Sequence, residues 1–213
     1  MLKENQSKRE RNKAQKKSAL VQAAEKLFAA NGFENTSIDD VAKEAGVTKR
    51  TLYQYFTSKE DLFFAVALRG ARQLTIDSVE ALGQGDSAID KIRNTNSAHM
   101  RFYLNHPDMF RLLNYQPPNH VNIQNSPHYA EMAELNLNRL RLFAELIELG
   151  VADKSINPEL DTQKAIFFAV YTAFSLLYTV ASTDTSAWAA MGFQKEDFLQ
   201  FCFDLLANAI KAK

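Results

Sequence analysis

The chain has few of the residues that cross-link or sharply bend a backbone. Its 213 residues include Cys 1, Pro 5 and Gly 7. A single cysteine excludes an internal disulfide and is typical of a reducing compartment, so we expect a cytoplasmic protein. The first residues lack the apolar core of a secretory signal, and we expect none.

Residue patterns that carry metal or enzyme chemistry are also missing. The four histidines are His99, His106, His120 and His128, and none lies beside a cysteine or a carboxylate cluster. We therefore expect no metal site. The sequence has no glycine-rich phosphate loop and no nucleophile elbow. We accordingly expect no cofactor and no enzyme activity.

The longest apolar stretch is too short and too mixed for a membrane span. It runs from Ile166 to Ala181 and contains Tyr, Thr and Ser, whereas a spanning helix needs about 20 apolar residues. We expect no membrane partner. The formal net charge is +0, but residues 1–72 hold 14 Lys+Arg against 9 Asp+Glu, and residues 73–213 hold 11 against 16. Attraction to a polyanion should therefore come from the N-terminal end.

Apolar residues recur at helical spacing almost throughout, so we predict an all-α fold. The first helix should end at Asn31-Gly32. A helix is predicted over 59–82, with a break near Gly70 as one alternative. The next helix should run from Ser87 to 105, another should begin at Pro107, and a long one should end at Leu149 before Gly150. Two more are predicted, one over 162–182 and one at the C-terminus. The stretch from Gln116 to Pro127 is predicted as a loop that could cover a pocket entrance.

The most informative stretch is 33–62, where two short helical patterns meet at one glycine. Ile38, Val41, Ala42 and Ala45 share one helix face. Ser37 is a suitable N-cap, with Asp40 three residues later as in a capping box. Gly46 follows at the position where a left-handed residue closes a helix. This pattern predicts a short helix with a defined turn after it.

The next helix begins with Thr-Lys-Arg-Thr and leaves its polar residues free. Val47, Leu52 and Phe56 are its apolar anchors, and a second capping pattern, Ser58 to Asp61, opens a further helix. A helix-turn-helix is the interpretation that fits all these signals. The alternative is an ordinary helical hairpin with a solvated basic face.

The same residues resemble the TetR family of transcriptional regulators. The match covers about 18–68 and includes T-S-I-D-D-V-A-K-E-A-G-V, T-L-Y-Q-Y-F and S-K-E-D-L. The resemblance implies an N-terminal three-helix helix-turn-helix DNA-binding domain, then a larger helical ligand-binding and dimerisation domain. It also implies a homodimer that binds a palindromic double-stranded DNA operator and is released by a small-molecule effector.

By resemblance, one set of residues would face bases and the adjacent backbone, and another would hold phosphates. The first set is Lys49, Arg50, Thr51 and Tyr53, with Gln54 beside them. The second set is Thr36, Ser37, Thr48, Tyr55 and Lys59. Tyr55 departs from the family pattern, because many relatives have histidine there. The residue types suit these roles, since Arg and Lys can donate to guanine and hydroxyls can donate to phosphates.

Three segments follow from this interpretation. Residues 1–17 carry 7 basic and 2 acidic side chains without apolar periodicity, and we expect a flexible basic arm. The arm could contact DNA or could be a solubilising tail; the sequence leaves both open. Residues 18–62 would form the DNA-binding domain. Residues 63–213 would form the ligand-binding and dimerisation domain.

The helix over 162–182 carries two rows of different character. The aliphatic row is Ile166, Val170, Ala173 and Leu177, and its small residues would let a partner helix approach, so we assign it to a dimer interface. The last helix has a matching row of Phe198, Cys202, Leu205 and Ala209. Two such helices from each subunit would form a four-helix bundle. The plain alternative is that both rows are ordinary core, with Cys202 a buried inert thiol.

The aromatic row is Phe167, Tyr171, Phe174 and Tyr178, and it would face the interior and a ligand. With Phe 15 and Tyr 7 in the chain, we expect an aromatic-walled cavity for a hydrophobic or aromatic compound. The candidate ligand residues are His99, Phe102, Tyr103, Phe110, Tyr129, Met132, Phe167, Tyr171, Phe174 and Tyr178. Arg101 and Arg111 could pair with a carboxylate, although surface exposure is the simpler expectation for both.

Two rival functions remain on the sequence alone. One is an enzyme with a helical DNA-binding appendage, although no catalytic pattern is visible. The other is a ligand-independent DNA-binding regulator, and an activator is as compatible with the sequence as a repressor.

Overall fold

The structure is a computed structural model that describes residues 2–115, 123 and 125–212, with side chains from 9 onward except at 185. Within these residues the fold is all-α, as predicted, and the one strand-like feature is an isolated bridge between Ile156 and Lys211. The helices are α1 (Leu2–Asn31), α2 (Ile38–Glu44), α3 (Lys49–Leu52), α4 (Lys59–Leu82), α5 (Ala88–Asn105), α6 (Pro107–Asn114), α7 (Pro127–Ala152), α8 (Thr162–Ser182), α9 (Thr185–Met191) and α10 (Lys195–Ile210).

The chain divides into two compact units. The N-terminal unit comprises Met1–Arg69 and Tyr115–Ala133, and the C-terminal unit comprises Gly70–Asn114 and Glu134–Lys213. The first division lies inside α4 rather than at residue 62, and the start of α7 belongs to the N-terminal unit. Short-range sequence patterns could not show the latter, because it depends on long-range packing.

The N-terminal unit is built on the apolar stripe of α1. Leu20, Ala24 and Phe28 are buried along it, and Leu52 of α3 is buried completely. The ring of Phe28 lies 5.6 Å from that of Phe63, and the ring of Phe63 lies 5.2 Å from that of Tyr115. These contacts hold α1, α4 and residue 115 together around one aromatic cluster.

The segment that we expected to be a flexible basic arm has a helical backbone in the structure. The backbone is helical from Leu2, so α1 is one helix up to Asn31. The segment has no glycine or proline and is rich in Lys, Arg, Glu and Gln, which are good helix formers. Side chains at 9–19 are exposed, which explains the absence of apolar periodicity. The helix propensity of these residues, rather than burial of a side-chain face, accounts for the helical backbone of this segment.

A buried carboxylate fixes the start of α4 within the N-terminal unit. The Asp61 side chain is buried, and it accepts hydrogen bonds from the Thr57 N–H at 2.9 Å, the Ser126 hydroxyl at 2.7 Å and His128 Nδ1 at 2.7 Å. Burial alone would raise the pKa of Asp61, but the bonds from His128, Thr57 and Ser126 outweigh it and lower the pKa. Ser58 caps the helix as predicted, accepting from the Asp61 N–H at 3.1 Å.

The C-terminal unit has an aliphatic core between α5, α7 and α10. Its buried members are Ala88, Ile89, Ile92, Leu146, Ile147, Ile156, Ala207 and Ile210. Several predicted boundaries are confirmed: Ser87 is the N-cap of α5, α6 begins at Pro107, and α8 covers Thr162–Ser182. Helix α9 was not predicted.

Two glycines have a different role from the predicted one. Neither interrupts a helix: α4 is continuous through Gly70, and α7 continues past Gly150 to Ala152. A Cβ at Gly70 would lie 2.4 Å from the Met109 sulfur, and one at Gly150 would lie 2.3 Å from Cδ1 of Ile156. Both glycines therefore lie in close packing, although the flexible Met109 side chain beside Gly70 could move aside. The sequence does not distinguish such a position from a helix break.

Two further predictions concern the loop and the membrane. The predicted loop from Gln116 to Pro127, with its role at a pocket entrance, lies mostly outside the described residues. Helix α8 is long and apolar enough to cross a membrane by length and composition alone, with 22% of its most apolar window buried within the chain. One such helix is weak support for a span, because a helix that packs against a partner has the same composition.

Candidate DNA interface and ligand site

The turn between α2 and α3 has the geometry that the sequence predicted. Gly46 is left-handed at φ 65°, its N–H donates to the Lys43 carbonyl at 3.1 Å, and the Val47 N–H donates to the Ala42 carbonyl at 2.9 Å. This pair of bonds is a Schellman motif. It fixes the angle at which α3 leaves α2.

Both helices begin with side-chain caps. Ser37 Oγ accepts from the Asp40 N–H at 3.1 Å, and the Asp40 carboxylate accepts from the Ser37 N–H at 3.0 Å, which completes the predicted capping box. Thr48 Oγ1 accepts from the Thr51 N–H at 3.2 Å. Ser37 and Thr48 are exposed, and both hydroxyls have partners within the unit: Ser37 Oγ donates to the Asp40 carboxylate at 2.6 Å, and Thr48 Oγ1 lies 2.9 Å from Thr51 Oγ1. Either hydroxyl would have to exchange its present partner to donate to an outside acceptor.

The short helix α3 presents a continuous polar surface. Its buried side chain is Leu52, which anchors it to the unit. Of the predicted base-facing residues, four are exposed: Lys49, Arg50, Tyr53 and Gln54. The fifth, Thr51, is half-buried. Tyr53, of which 47% is exposed, lies at the C-terminal end of α3. We refer to Thr48–Gln54 as the α3 surface.

Lys49 is engaged within the unit. Its Nζ lies 2.8 Å from a carboxylate oxygen of Asp39, and both side chains are exposed. The hydrogen bond to Asp39 raises the pKa of Lys49, so the amine remains charged. Exposed ion pairs of this kind contribute little net energy, and a phosphate or a base could replace Asp39 at small cost.

Thr36 does not have the predicted position. Its side chain is buried, and its hydroxyl donates to the carbonyls of Gly32 at 2.8 Å and Leu27 at 3.2 Å. The hydroxyl therefore satisfies carbonyls at the C-terminal end of α1 and has no free donor for a phosphate. The assignment of Thr36 to phosphate binding is wrong.

The two remaining phosphate candidates are partly covered. Lys59 Nζ lies 4.2 Å from the centroid of the Phe33 ring and 3.3 Å from the Glu34 carbonyl oxygen. Tyr55 is half-buried. Each can reach a phosphate only through the exposed part of its side chain. Both assignments stay predictions.

The candidate ligand residues do not form one set. In the C-terminal unit, His99 lies 5.4 Å from Phe174, and Phe174 lies 6.3 Å from Phe110 with the rings nearly parallel. Tyr103 packs edge-on against Phe110 at 5.8 Å, and Phe102 is buried beside His106. We call His99, Phe110 and Phe174 the interior cluster.

The other ligand candidates lie elsewhere. Tyr129 and Met132 belong to the N-terminal unit, where Tyr129 packs on Phe64 at 4.9 Å. Phe167, Tyr171 and Tyr178 are exposed on α8 by 43%, 64% and 44%. The prediction that the aromatic row faces the interior is therefore wrong for these three. Neither Arg101 nor Arg111 belongs to the cluster; Arg111 pairs with Asp108 instead.

The aliphatic row of α8 faces the interior of the C-terminal unit rather than its surface. Ala173 and Leu177 are buried within their own unit, and Ile166 and Val170 are half-buried. Ala173 and Leu177 are core residues, so their assignment to a dimer interface is wrong, whereas the assignment of Ile166 and Val170 stays a prediction. Both rows have the same spacing, and composition alone does not show which one the rest of the chain covers. On α10, Leu205 and Ala209 are exposed as an interface requires, and Phe198 and Cys202 are half-buried.

Sequence reasoning also missed one charged residue beside the interior cluster. Arg139 of α7 has its guanidinium carbon 5.0 Å from the centroid of the Phe174 ring. Arg141, two residues later, is exposed and has a similar local sequence. No local signal separates the two arginines; only the packing of α7 does.

Comparison with known proteins places the N-terminal pattern in a family. The profile described as bacterial regulatory proteins of the tetR family matches residues 20–66. The chain is similar to the transcriptional activator FasR of Mycolicibacterium smegmatis, at 29% identity over 46% of this chain and 45% of that protein. It is also similar to the transcriptional repressor KstR2 of the same species, at 25% identity over 70% of this chain and 71% of that protein. The alignment thus spans less than half of FasR.

A solved structure extends the likeness over the whole fold. The transcriptional regulator FadR from Bacillus subtilis, solved in complex with stearoyl-CoA, superimposes with a TM-score of 0.71 at 20% sequence identity, covering 91% of this chain and 98% of that one. At this identity the similarity concerns the fold alone. The profile match at 20–66 identifies the N-terminal part of the chain as that of the TetR family of transcriptional regulators.

Proposed function

We propose that the chain is a sequence-specific DNA-binding regulator, most simply a repressor, that binds a palindromic operator as a homodimer. The α3 surface is the observation that carries the proposal. It combines exposed Lys49 and Arg50 donors with the hydroxyls of Thr48, Thr51 and Tyr53. Side chains of these types read base edges and phosphates in a major groove.

The orientation of this surface is fixed by the fold of the N-terminal unit. The Schellman turn at Gly46 sets the angle between α2 and α3, and buried Leu52 anchors α3. A helix so constrained presents its donors in one arrangement, which sequence reading requires. We therefore propose base contacts for Lys49, Arg50, Thr51, Tyr53 and Gln54, and phosphate contacts for Ser37, Thr48, Tyr55 and Lys59.

The proposed dimer surface consists of the exposed aromatic residues of α8 together with the exposed residues of α10. Tyr171 and Phe168 on α8, and Phe201 and Leu205 on α10, are between 47% and 64% exposed. Leaving such rings in water is unfavourable, and apolar burial stabilises association by about 25 cal/mol per Å² before the entropic costs. A two-fold pair would also read both halves of a palindrome.

We further propose that the residues before about 63 read DNA and that those after it bind a ligand and dimerise. A small, mainly hydrophobic effector bound in the C-terminal unit would release the operator, provided that it binds the DNA-competent and released forms unequally. FadR, which shares the fold, was solved with stearoyl-CoA. The relatives have regulatory functions of both signs, so an activator or a ligand-independent regulator is the alternative. A cytoplasmic location suits either role.

Selection of binding sites from random duplex DNA tests the proposal. We expect wild-type protein to enrich an inverted repeat, and a variant with Lys49→Ala and Tyr53→Ala to lose it. Arg101→Ala is the matched control, because it removes one exposed charge from the C-terminal unit. Absence of enrichment by folded wild-type protein, or an unchanged repeat from the double variant, would contradict the proposal.

Transcription in vitro from a template with the selected repeat at a promoter then separates the two signs. Fewer transcripts with added wild-type protein are expected for a repressor. More transcripts would identify an activator.

A further inference from the structure

The interior cluster of the C-terminal unit holds a positive charge without a counter-charge. Arg139 is half-buried, and its guanidinium lies over the face of Phe174 at 5.0 Å. Burial lowers the pKa of Arg139 to about 10, so the group stays protonated at neutral pH. Among the residues that the structure describes, no carboxylate lies within 4.0 Å of it.

A partly buried cation without a carboxylate partner raises the free energy of the folded chain. A buried cation loses water and normally regains the energy from a carboxylate and from hydrogen bonds. The contact with the ring of Phe174 recovers only part of it. The guanidinium therefore retains donors that an oxyanion could accept.

His99, in the same cluster, is neutral and incompletely bonded. Burial, together with the charge of Arg139, lowers the pKa of His99 to about 3. The Ser78 hydroxyl donates its one proton to the Leu74 carbonyl at 2.6 Å, so its 2.9 Å contact with His99 must be a bond donated by Nε2–H. Nδ1 of His99 is then a bare acceptor, and it is buried with no partner among the described residues.

A half-buried cation without a counter-charge and a buried acceptor without a partner thus lie around one aromatic ring. Both the His99 ring and the Arg139 guanidinium contact Phe174, which also stacks on fully buried Phe110. Buried polar groups in native proteins nearly always have partners, and an unpaired set indicates that a partner is supplied from outside. The rings around it would bind an apolar body.

We propose that the effector of the C-terminal unit is an apolar or aromatic molecule with one oxyanion group, a carboxylate in the simplest case, and that Arg139 binds this group. A hydrogen-bond donor on the same molecule would complete Nδ1 of His99. Phe174 and Phe110 would pack against the apolar body. The proposal rests on the proposed ligand control and deepens it, because it replaces a purely hydrophobic effector with an anionic one.

A pair of fluorescent probes tests the charge directly. Anilinonaphthalene sulfonate is an anion, and phenylnaphthylamine has the same rings without the sulfonate. In fluorescence titrations we expect Arg139→Met to weaken binding of the sulfonate by about tenfold or more, which corresponds to one charge-assisted hydrogen bond. Binding of phenylnaphthylamine should change less than twofold, which also shows that the variant is folded.

Two further variants make the result specific. Arg141→Met removes a charge from the exposed side of the same helix and should bind both probes as wild type does. Arg139→Lys retains the charge and should keep most of the preference for the sulfonate. The proposal is overturned if Arg139→Met binds the sulfonate as wild type does, if it weakens both probes equally, or if wild type binds neither probe.

Displacement of the sulfonate by decanoate and by decanol identifies the chemical class. Decanoate should displace it from wild type at a concentration at least about tenfold lower than decanol. Equal displacement would exclude a carboxylate at Arg139. These readouts need no DNA, so a failure of operator selection would contradict the proposed function and leave the anion preference to stand or fall by itself.

Discussion

The two units differ in how complete each one is when considered alone. In the N-terminal unit, the buried polar side chains of Thr36, Asp61 and Ser126 all have hydrogen-bond partners, and buried Oε2 of Glu25, which accepts no hydrogen bond, forms an ion pair with Arg69 at 2.9 Å. In the C-terminal unit, buried ring nitrogens of His99 and Trp188 have none among the described residues. Of the large apolar side chains that the described structure exposes, Tyr53 belongs to the N-terminal unit and the others belong to the C-terminal unit.

This difference suggests a division of labour. A closed and satisfied unit holds its exposed donors in one arrangement, as a surface that reads DNA must. A unit with exposed aromatic rings and unpaired interior polar groups gains free energy from partners that it does not contain. We infer that these partners are a second copy of the chain and an effector.

The largest effects should come from substitutions in the two rows of α8. A change in the aliphatic row should lower the stability of the subunit, and a change in the aromatic row should weaken the dimer. Leu177→Ala removes a fully buried side chain and should lower the free energy of unfolding by about 2–5 kcal/mol. Tyr171→Ala, at a 64% exposed position, should leave each subunit folded and weaken the dimer. Urea unfolding and sedimentation velocity measure the two effects. A dimer that Tyr171→Ala leaves unchanged would contradict the proposed interface.

The next effect concerns the satisfied interior of the N-terminal unit. Asp61→Ala leaves the Thr57 N–H, the Ser126 hydroxyl and His128 without their acceptor. We expect a loss of about 3 kcal/mol in the free energy of unfolding, measured in urea. Asp39→Ala, which removes an exposed carboxylate paired only with Lys49, is the control and should cost much less. Equal losses would mean that burial of Asp61 has no energetic consequence.

The same carboxylate predicts a dependence on pH. The pKa of Asp61 is lowered in the folded chain, so its contribution is present above its unfolded pKa of about 3.9 and is lost as the pH falls through the folded value. The stability difference between wild type and Asp61→Asn should therefore be largest near neutral pH and shrink below about pH 4. Urea midpoints across this range measure it. A difference that grows towards acid would reverse the assigned sign.

A smaller effect distinguishes reading from attachment on the N-terminal unit. Arg50→Ala should cost about 1–3 kcal/mol in binding and relax the base preference at one position of each half-site. Lys59→Ala should weaken binding to all sequences alike, since a phosphate contact carries no base information. Competition titrations against point-mutated duplexes compare them. An unchanged preference in Arg50→Ala would show that the assigned register of α3 is wrong.

The smallest effect separates two adjacent hydroxyls. Thr36→Val removes the bonds to the Gly32 and Leu27 carbonyls and should cost about 1 kcal/mol of stability, with affinity for DNA unchanged in the folded protein. Ser37→Ala loses a helix cap at similar cost and, because Ser37 is exposed, should also weaken DNA binding. Thermal unfolding and DNA titration of both variants test this. Equal affinities would remove Ser37 from the interface.

The N-terminal unit was easier to predict from the sequence than the C-terminal unit. The capping box at Ser37, the left-handed Gly46 and the start of α6 at Pro107 depend on neighbours within a few residues, and all three are confirmed. The burial of Thr36 depends on carbonyls up to nine residues away, and it was missed.

The C-terminal unit was harder to predict for a physical reason. The two rows of α8 have equal spacing and are both apolar. Periodicity therefore indicates that both are buried, but it does not show which row packs on the same chain and which on a partner. Gly70 was one possible helix break and Gly150 the predicted end of a helix, although a sulfur and a methyl group occupy the space where a Cβ would lie. Arg139 and Arg141 are indistinguishable until α7 is packed.

Sedimentation velocity of the protein on short duplexes tests the central claim, that one unit reads DNA and the other joins two copies. The duplexes would carry the selected inverted repeat or a single half-site, and wild type would be compared with Tyr171→Ala. We predict two wild-type chains on each inverted repeat, and for Tyr171→Ala a weaker, non-cooperative occupancy of the repeat with half-site binding intact. One chain per inverted repeat, or identical behaviour of the two proteins, would contradict the account.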